Sequence, residues 1–190
     1  MTFDEIIKQY AEAVYSTGLI SKCAGLSYVS SISAAGANQT VVIGQLYPFA
    51  DGRQHTLSPD SKESGIAFFR ASATQISRQS AYLHEHRNTV TLTVWINGDK
   101  VKQGDGFSAF ALIQDTVRRF RPTLGEGQYR KVTMQPTGNI TDGIERYGWD
   151  GLKFKYHEAP HMLFNIEFQF QAWVSAGCAT PTYNVVNAVC

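Results

Sequence analysis

Charge is scarce in this sequence. Only 17% of its 190 residues are Asp, Glu, Lys or Arg, against roughly a quarter in ordinary globular domains. The 17 basic and 16 acidic side chains nearly cancel, leaving a formal charge of +1. So close a balance supplies no global field for nucleic acid, an anionic membrane or an acidic substrate, and any such contact must come from a local patch. The same shortage implies that part of the nominal surface is covered by something. Cysteine is sparse too. Cys23, Cys178 and Cys190 are odd in number and lack CxxC spacing, which argues against a disulfide scaffold and for a reducing compartment. No run approaches the roughly 18 apolar residues of a membrane span. Met1-Thr2-Phe3-Asp4-Glu5 has neither the basic nor the apolar region of a signal peptide, so secretion is not expected. Neither GxxxxGK[ST] nor GxGxxG occurs, and nucleotide chemistry has no support.

What is present is a set of periodic segments in a chain of one-domain length, 190 residues, read as a single α+β domain. Thr2 with Glu5 forms a capping box before Phe3, Ile6, Ile7, Tyr10 and Val14 at helical spacing, and Gly18 follows as a stop, so a helix is expected from Phe3 to Thr17. Leu26 to Ile32 and Gln39 to Leu46 read as two strands joined by a turn. Tyr47 to Glu63 holds Pro48, Asp51-Gly52, Ser58-Pro59 and Asp60, a density of breakers that predicts a long loop without regular structure. Ile66 to Ile76 leans toward strand. In Tyr82 to Asn97, Val90, Leu92, Val94 and Ile96 alternate with Thr89, Thr91, Thr93 and Trp95, which predicts a strand with one buried face.

A second helix, capped by Asp105, carries Phe110, Ile113, Val117 and Phe120 on one face, with Arg118, Arg119 and Arg121 at its end and Pro122 closing it. Tyr129 to Gln135 and Leu152 to Tyr156 are strand-like, on either side of a turn-rich segment holding Tyr147 and Trp149. The longest regular pattern runs from Met162 to Val174, where Phe164, Ile166, Phe168 and Phe170 alternate with Asn165, Glu167, Gln169 and Gln171. Residues 175–190 form an apolar, charge-poor tail of the kind that docks on its own subunit or a neighbour. The expected fold is α+β: a mixed or antiparallel sheet with two main helices on one face, plus the long loop and a C-terminal arm.

Motifs that carry chemistry are weak. His157-Glu158-Ala159-Pro160-His161 spells HExxH, but Pro160 falls inside the required helical turn and a period-two pattern follows, so a turn entering a strand is expected rather than a zinc helix. His84 and His86 would share one strand face, yet no third ligand is identifiable. Gly106-Phe107-Ser108-Ala109-Phe110 lacks the last glycine of a nucleophile elbow, and Ser108 falls in the first turn of a helix. Arg118, Arg119 and Arg121 could meet phosphates, although complementing a helix C-terminus is their commoner role. No catalytic, cofactor-binding or metal residue is assigned, and no enzyme is expected.

The opening helix Phe3 to Thr17, the strand into Val94-Trp95-Ile96-Asn97, the helix Phe107 to Phe120 and the closing strand Met162 to Val174 give an order of elements. In that order the chain resembles the tail-terminator, tail-completion and neck-ring proteins of tailed bacteriophages. The resemblance implies a small α+β subunit, made in the host bacterial cytoplasm and incorporated in the virion. Its partners would be copies of itself in a ring, expected as a hexamer, other tail or connector proteins, and passively the DNA in the lumen, with no membrane and no cofactor. The alternative is a small metal-dependent enzyme or ligand-binding module using His84, His86, His157 and His161.

Overall fold

The computed structural model describes residues 1–34, 37–71, 75–79, 83–101, 106–125, 129–141 and 160–175. Two α-helices and eight strands follow one another along them: α1 (Phe3–Tyr15), β1 (Lys22–Ala34), β2 (Ala37–Leu46), β3 (Gln54–Leu57), β4 (Gly65–Ala71), β5 (Gln75–Gln79), β6 (Leu83–Asn97), α2 (Gly106–Arg119), β7 (Tyr129–Thr141) and β8 (His161–Ser175). The strands form one mixed sheet in the order β3-β2-β1-β4-β6-β8-β7, with β5 pairing β6 beyond the end of β4. Among the described residues only β1 and β4 run parallel, and the other pairings are antiparallel.

The local causes are visible residue by residue. Thr2 accepts a hydrogen bond from the Glu5 amide while the Glu5 carboxylate reaches back to the Thr2 amide, satisfying two orphan donors of α1. Gly18, at φ 75°, takes the left-handed conformation that ends the helical segment. Along α1, Ile6, Ile7, Tyr10, Ala11 and Val14 form one buried face. Burial of each of the larger aliphatic side chains is worth about 1.5–3 kcal/mol relative to exposure.

That face and the Ala109, Ile113 and Val117 face of α2 cover the same side of the sheet, over Phe69, Val90, Leu92, Val94, Ile96, Phe164, Ile166, Phe168 and Phe170. The α+β architecture with both helices on one face is therefore the one expected. Aromatic edges tie the layers: Phe3 to Phe170 at 4.8 Å, Phe110 to Phe164 at 5.3 Å and Tyr10 to Phe120 at 5.0 Å between ring centroids. Gln9 locks α1 to the segment after α2, donating to the Thr123 carbonyl at 3.1 Å and accepting from the Thr123 amide at 2.8 Å.

Several expectations need correction. The segment between Tyr47 and Glu63 is not without regular structure: a 3-10 turn spans Phe49–Asp51, and β3 pairs with β2 from Val42↔Leu57 to Gln45↔Gln54. Breakers flank this strand rather than interrupt it, and Leu57 anchors it by being buried. β1 begins at Lys22 rather than Leu26, because Lys22, Cys23 and Ala24 already pair with β4. β7 continues past Gln135 to Thr141, carrying Pro136 on the sheet's outermost strand, where a missing N–H is tolerated. Its register then shifts between Pro136 and Ile140, around Gly138 at φ 83°.

Nor does β6 have only one buried face. Trp95 packs on the helix-free side with Phe68, Ile66, Leu57, Val42 and Ala24 in a second, smaller core. Asp105, the Leu152–Tyr156 segment, Tyr147, Trp149 and the tail 176–190 lie outside the described residues.

Candidate assembly surfaces

Among the described residues, His84 and His86 are not brought together with His161. His84 and His86 do share a face of β6, the helix-side face, opposite Val174 and Ala172 of β8. The Nδ1 of His84 is buried without a hydrogen-bond partner, and burial first, then the neighbouring His84, pushes the His86 imidazole below its usual basicity. His161 is the first residue of β8, pairs with Asn97 at the other end of β6, and stacks on Trp95 at 5.5 Å and 17° on the opposite face. Residues 84 and 97 of one strand are roughly 40 Å apart by strand rise, so His84 and His86 cannot join His161 in one site.

Pro160 sits in a turn whose carbonyl accepts from the Gly98 amide, and an extended strand follows, as the HExxH letters with an internal proline predicted. His157 lies outside the described residues. Among the described residues no group of three or more His, Cys, Asp or Glu side chains converges as a metal site would require.

The arginines are engaged at the end of α2. Asp115 is forked by Arg118 at 2.6 Å and Arg119 at 2.8 Å, and these hydrogen bonds, Arg118 first, hold its carboxyl below the ordinary carboxylate range. Arg121 Nη1 donates to the Arg118 and Phe120 carbonyls at 2.8 and 2.9 Å, satisfying acceptors that the helix leaves open. Ser108 is exposed in the first turn of α2. Cys23 is fully buried, and burial pushes its thiol far above the reactive range. Tyr10 is driven up to about 12 by burial, which the nearby Arg121 charge partly offsets.

Two surfaces remain that a sequence reading does not single out. The first is the face of β6, β8 and β7 away from the helices. Across β6 and β8 the register sets Glu85 against Trp173, Arg87 against Gln171, Thr89 against Gln169, Thr91 against Glu167 and Thr93 against Asn165, and directly opposed residues share a face. Glu85, though 5% exposed, accepts from Arg87 Nε at 3.0 Å and from Gln171 Nε2. Gln169 donates to the Asn88 carbonyl at 3.1 Å, and Thr137 donates to Glu167 at 3.2 Å. Lys131 lies 5.1 Å over the Trp173 ring. This is a ladder of hydrogen-bonding side chains, Thr, Asn and Gln together with the paired Glu85 and Arg87 and with Glu167, and Asn165 is buried inside it with its Oδ1 unpartnered.

The second surface is the β1–β2 hairpin. From Cys23 to Ala50 the sequence has no Asp, Glu, Lys, Arg or His. β1 pairs with β4 only from Lys22 to Leu26, and β2 pairs with β3 only from Val42 to Gln45. Beyond those limits the two strands pair with each other alone among the described residues, from Ser30↔Val41 to Ala34↔Ala37. The register of β1 shifts against both neighbours just after Ala24, and a bulge of this kind bends and twists a strand away from its sheet.

Compared with protein-family models, with curated proteins and with solved structures, the chain matches none. No helix among the described residues is long and apolar enough to cross a membrane.

Proposed function

We propose that this chain is a structural subunit of a tailed bacteriophage, assembling with copies of itself into a ring at the head-tail junction or the end of the tail. The observation that carries this reading is the division of the sheet. Both helices lie on one face, while the opposite face of β6 and β8 carries the polar ladder, of which Thr89, Thr91, Glu167, Gln169 and Gln171 are partly exposed. The order of elements supports it as well: an opening helix, a hairpin, a central strand, a second helix and a long closing strand. The expected ring has six subunits, with other tail or connector proteins above and below and DNA passing through its lumen. Arg118 and Arg119, with side chains 49% and 74% exposed, would face the lumen or a neighbour.

The test is the mass and shape of the purified full chain. Light scattering on a sizing column should give a discrete multiple of the 21.1 kDa subunit, and negative-stain images should show closed rings. A chain that stays at 21.1 kDa over a wide range of concentrations, with no particle from the producing cell incorporating it, refutes the reading.

A further inference from the structure

Resting on that ring reading, we infer that the β1–β2 hairpin is an assembly arm that pairs, strand edge to strand edge, with a second copy of this chain. β1 is bulged just before its pairing with β4 ends, and a bulge of this kind bends a strand away from its neighbour. An isolated two-stranded ribbon is marginal in water, and exposed strand edges are usually blunted by charge, proline or shortness. Among the described residues the outer edge of β1 pairs with no strand from Ser27 to Ala34 and that of β2 with none from Ala37 to Val41, and both stretches are free of charge and proline. Tyr28, on the arm's surface, is 52% exposed, the most exposed large apolar side chain among the described residues.

The chemistry selects the occupant. With no Lys or Arg between Cys23 and Ala50, the arm has nothing to offer phosphates of nucleic acid or anionic lipid. Backbone groups that pair with no strand among the described residues, flanked by β-branched and small side chains, fit another strand. The same sheet ends on its far side in β7, whose outer edge pairs with no strand among the described residues. Each copy therefore has one edge to give and a different edge to receive, which is what head-to-tail closure of a ring requires.

The experiment uses the full chain and the variant Tyr28→Lys/Ser30→Lys, with each single substitution as a milder form. Two lysines block edge pairing without touching the helix-side core. The expected result is loss of the assembled species, with the variant eluting at the 21.1 kDa subunit mass. Circular dichroism and the melting transition at low concentration should be those of the unmodified chain. Hydrogen exchange should show amides of both the hairpin and β7 protected in the assembled protein and released in the variant.

A variant that assembles as the unmodified chain does overturns the arm while leaving the ring reading intact. A variant whose monomer is less stable but associates normally shows that the hairpin pairs within its own chain, and also overturns it. Protection of the hairpin without β7 overturns β7 as the receiving edge. An unmodified chain that is monomeric throughout removes the ring reading itself.

Discussion

Truncating Phe168 to alanine tests the register of the whole sheet. Phe168 has no exposed surface and sits on β8 between Val90 of β6 and Pro136 of β7, under the helix layer. Losing the ring from water-free surroundings costs about 1.5–3 kcal/mol in transfer free energy. The remainder depends on whether the site can collapse. Here it cannot do so readily, because β8 is held by strands on both sides, in register with β6 from Leu83↔Ser175 to Asn97↔His161. The expected total is therefore in the range of about 3–5 kcal/mol measured for such truncations.

Gln169→Ala provides the contrast one residue along. Its side chain lies on the other face and gives up one hydrogen bond to the Asn88 carbonyl, worth about 0.5–1.5 kcal/mol. Urea unfolding followed by circular dichroism, repeated at several protein concentrations so that assembly does not masquerade as stability, reads both. If Phe168→Ala costs less than about 1 kcal/mol at unchanged denaturant slope, or less than Gln169→Ala, the assignment of faces is wrong.

Two further outcomes follow from the junction of β1 and β4. A Cβ at Gly65 would stand 2.9 Å from the Trp95 carbonyl oxygen and 3.0 Å from that of Leu19, so Gly65→Ala should cost about 1–3 kcal/mol; a variant melting with the unmodified protein would contradict that packing. Glu63 accepts from Ser21 Oγ at 2.6 Å and pairs with Lys22 at 2.8 Å, and Lys22 first, then Ser21, lowers its pKa. A depressed folded pKa gives stability that is present above the ordinary carboxylate range and lost as pH falls through the folded value. Glu63→Gln should therefore destabilise by less than about 1 kcal/mol at neutral pH, and the difference should vanish on acidification; a difference that widens toward low pH would reverse the assignment.

Much of the fold was legible where the pattern is local. The capping box at Thr2 and Glu5, the stop at Gly18 and the alternation through β6 and β8 each depend on neighbours in sequence, and each stands where expected. The parallel pairing of β1 with β4 joins segments with β2 and β3 between them, and no local periodicity announces it. β3 was hidden because its four residues lie among breakers and gain their order from β2. Trp95 read as a solvent-side residue because alternation assigns a face without saying whether that face is covered; Phe68 and Leu57, from distant segments, cover it. The candidate surfaces were harder still. The absence of charge between Cys23 and Ala50 was available to count, but its meaning needs the knowledge that β1 and β2 outrun their neighbours.

The position of β8 constrains the order of events during synthesis. It is the last of the described strands in the chain, yet it lies inside the sheet, between β6 and β7. Until the ribosome has released residues through Ser175, β6 and β7 have no common neighbour, and Phe69, Val94 and the inner face of α2 lack the Phe164 to Phe170 row that completes their layer. Such long-range closure is slow, and the unfinished intermediate carries exposed apolar surface and unpaired edges. The growing chain is thus most prone to mispairing just before β8 emerges. Chaperone occupancy should fall sharply once β8 emerges.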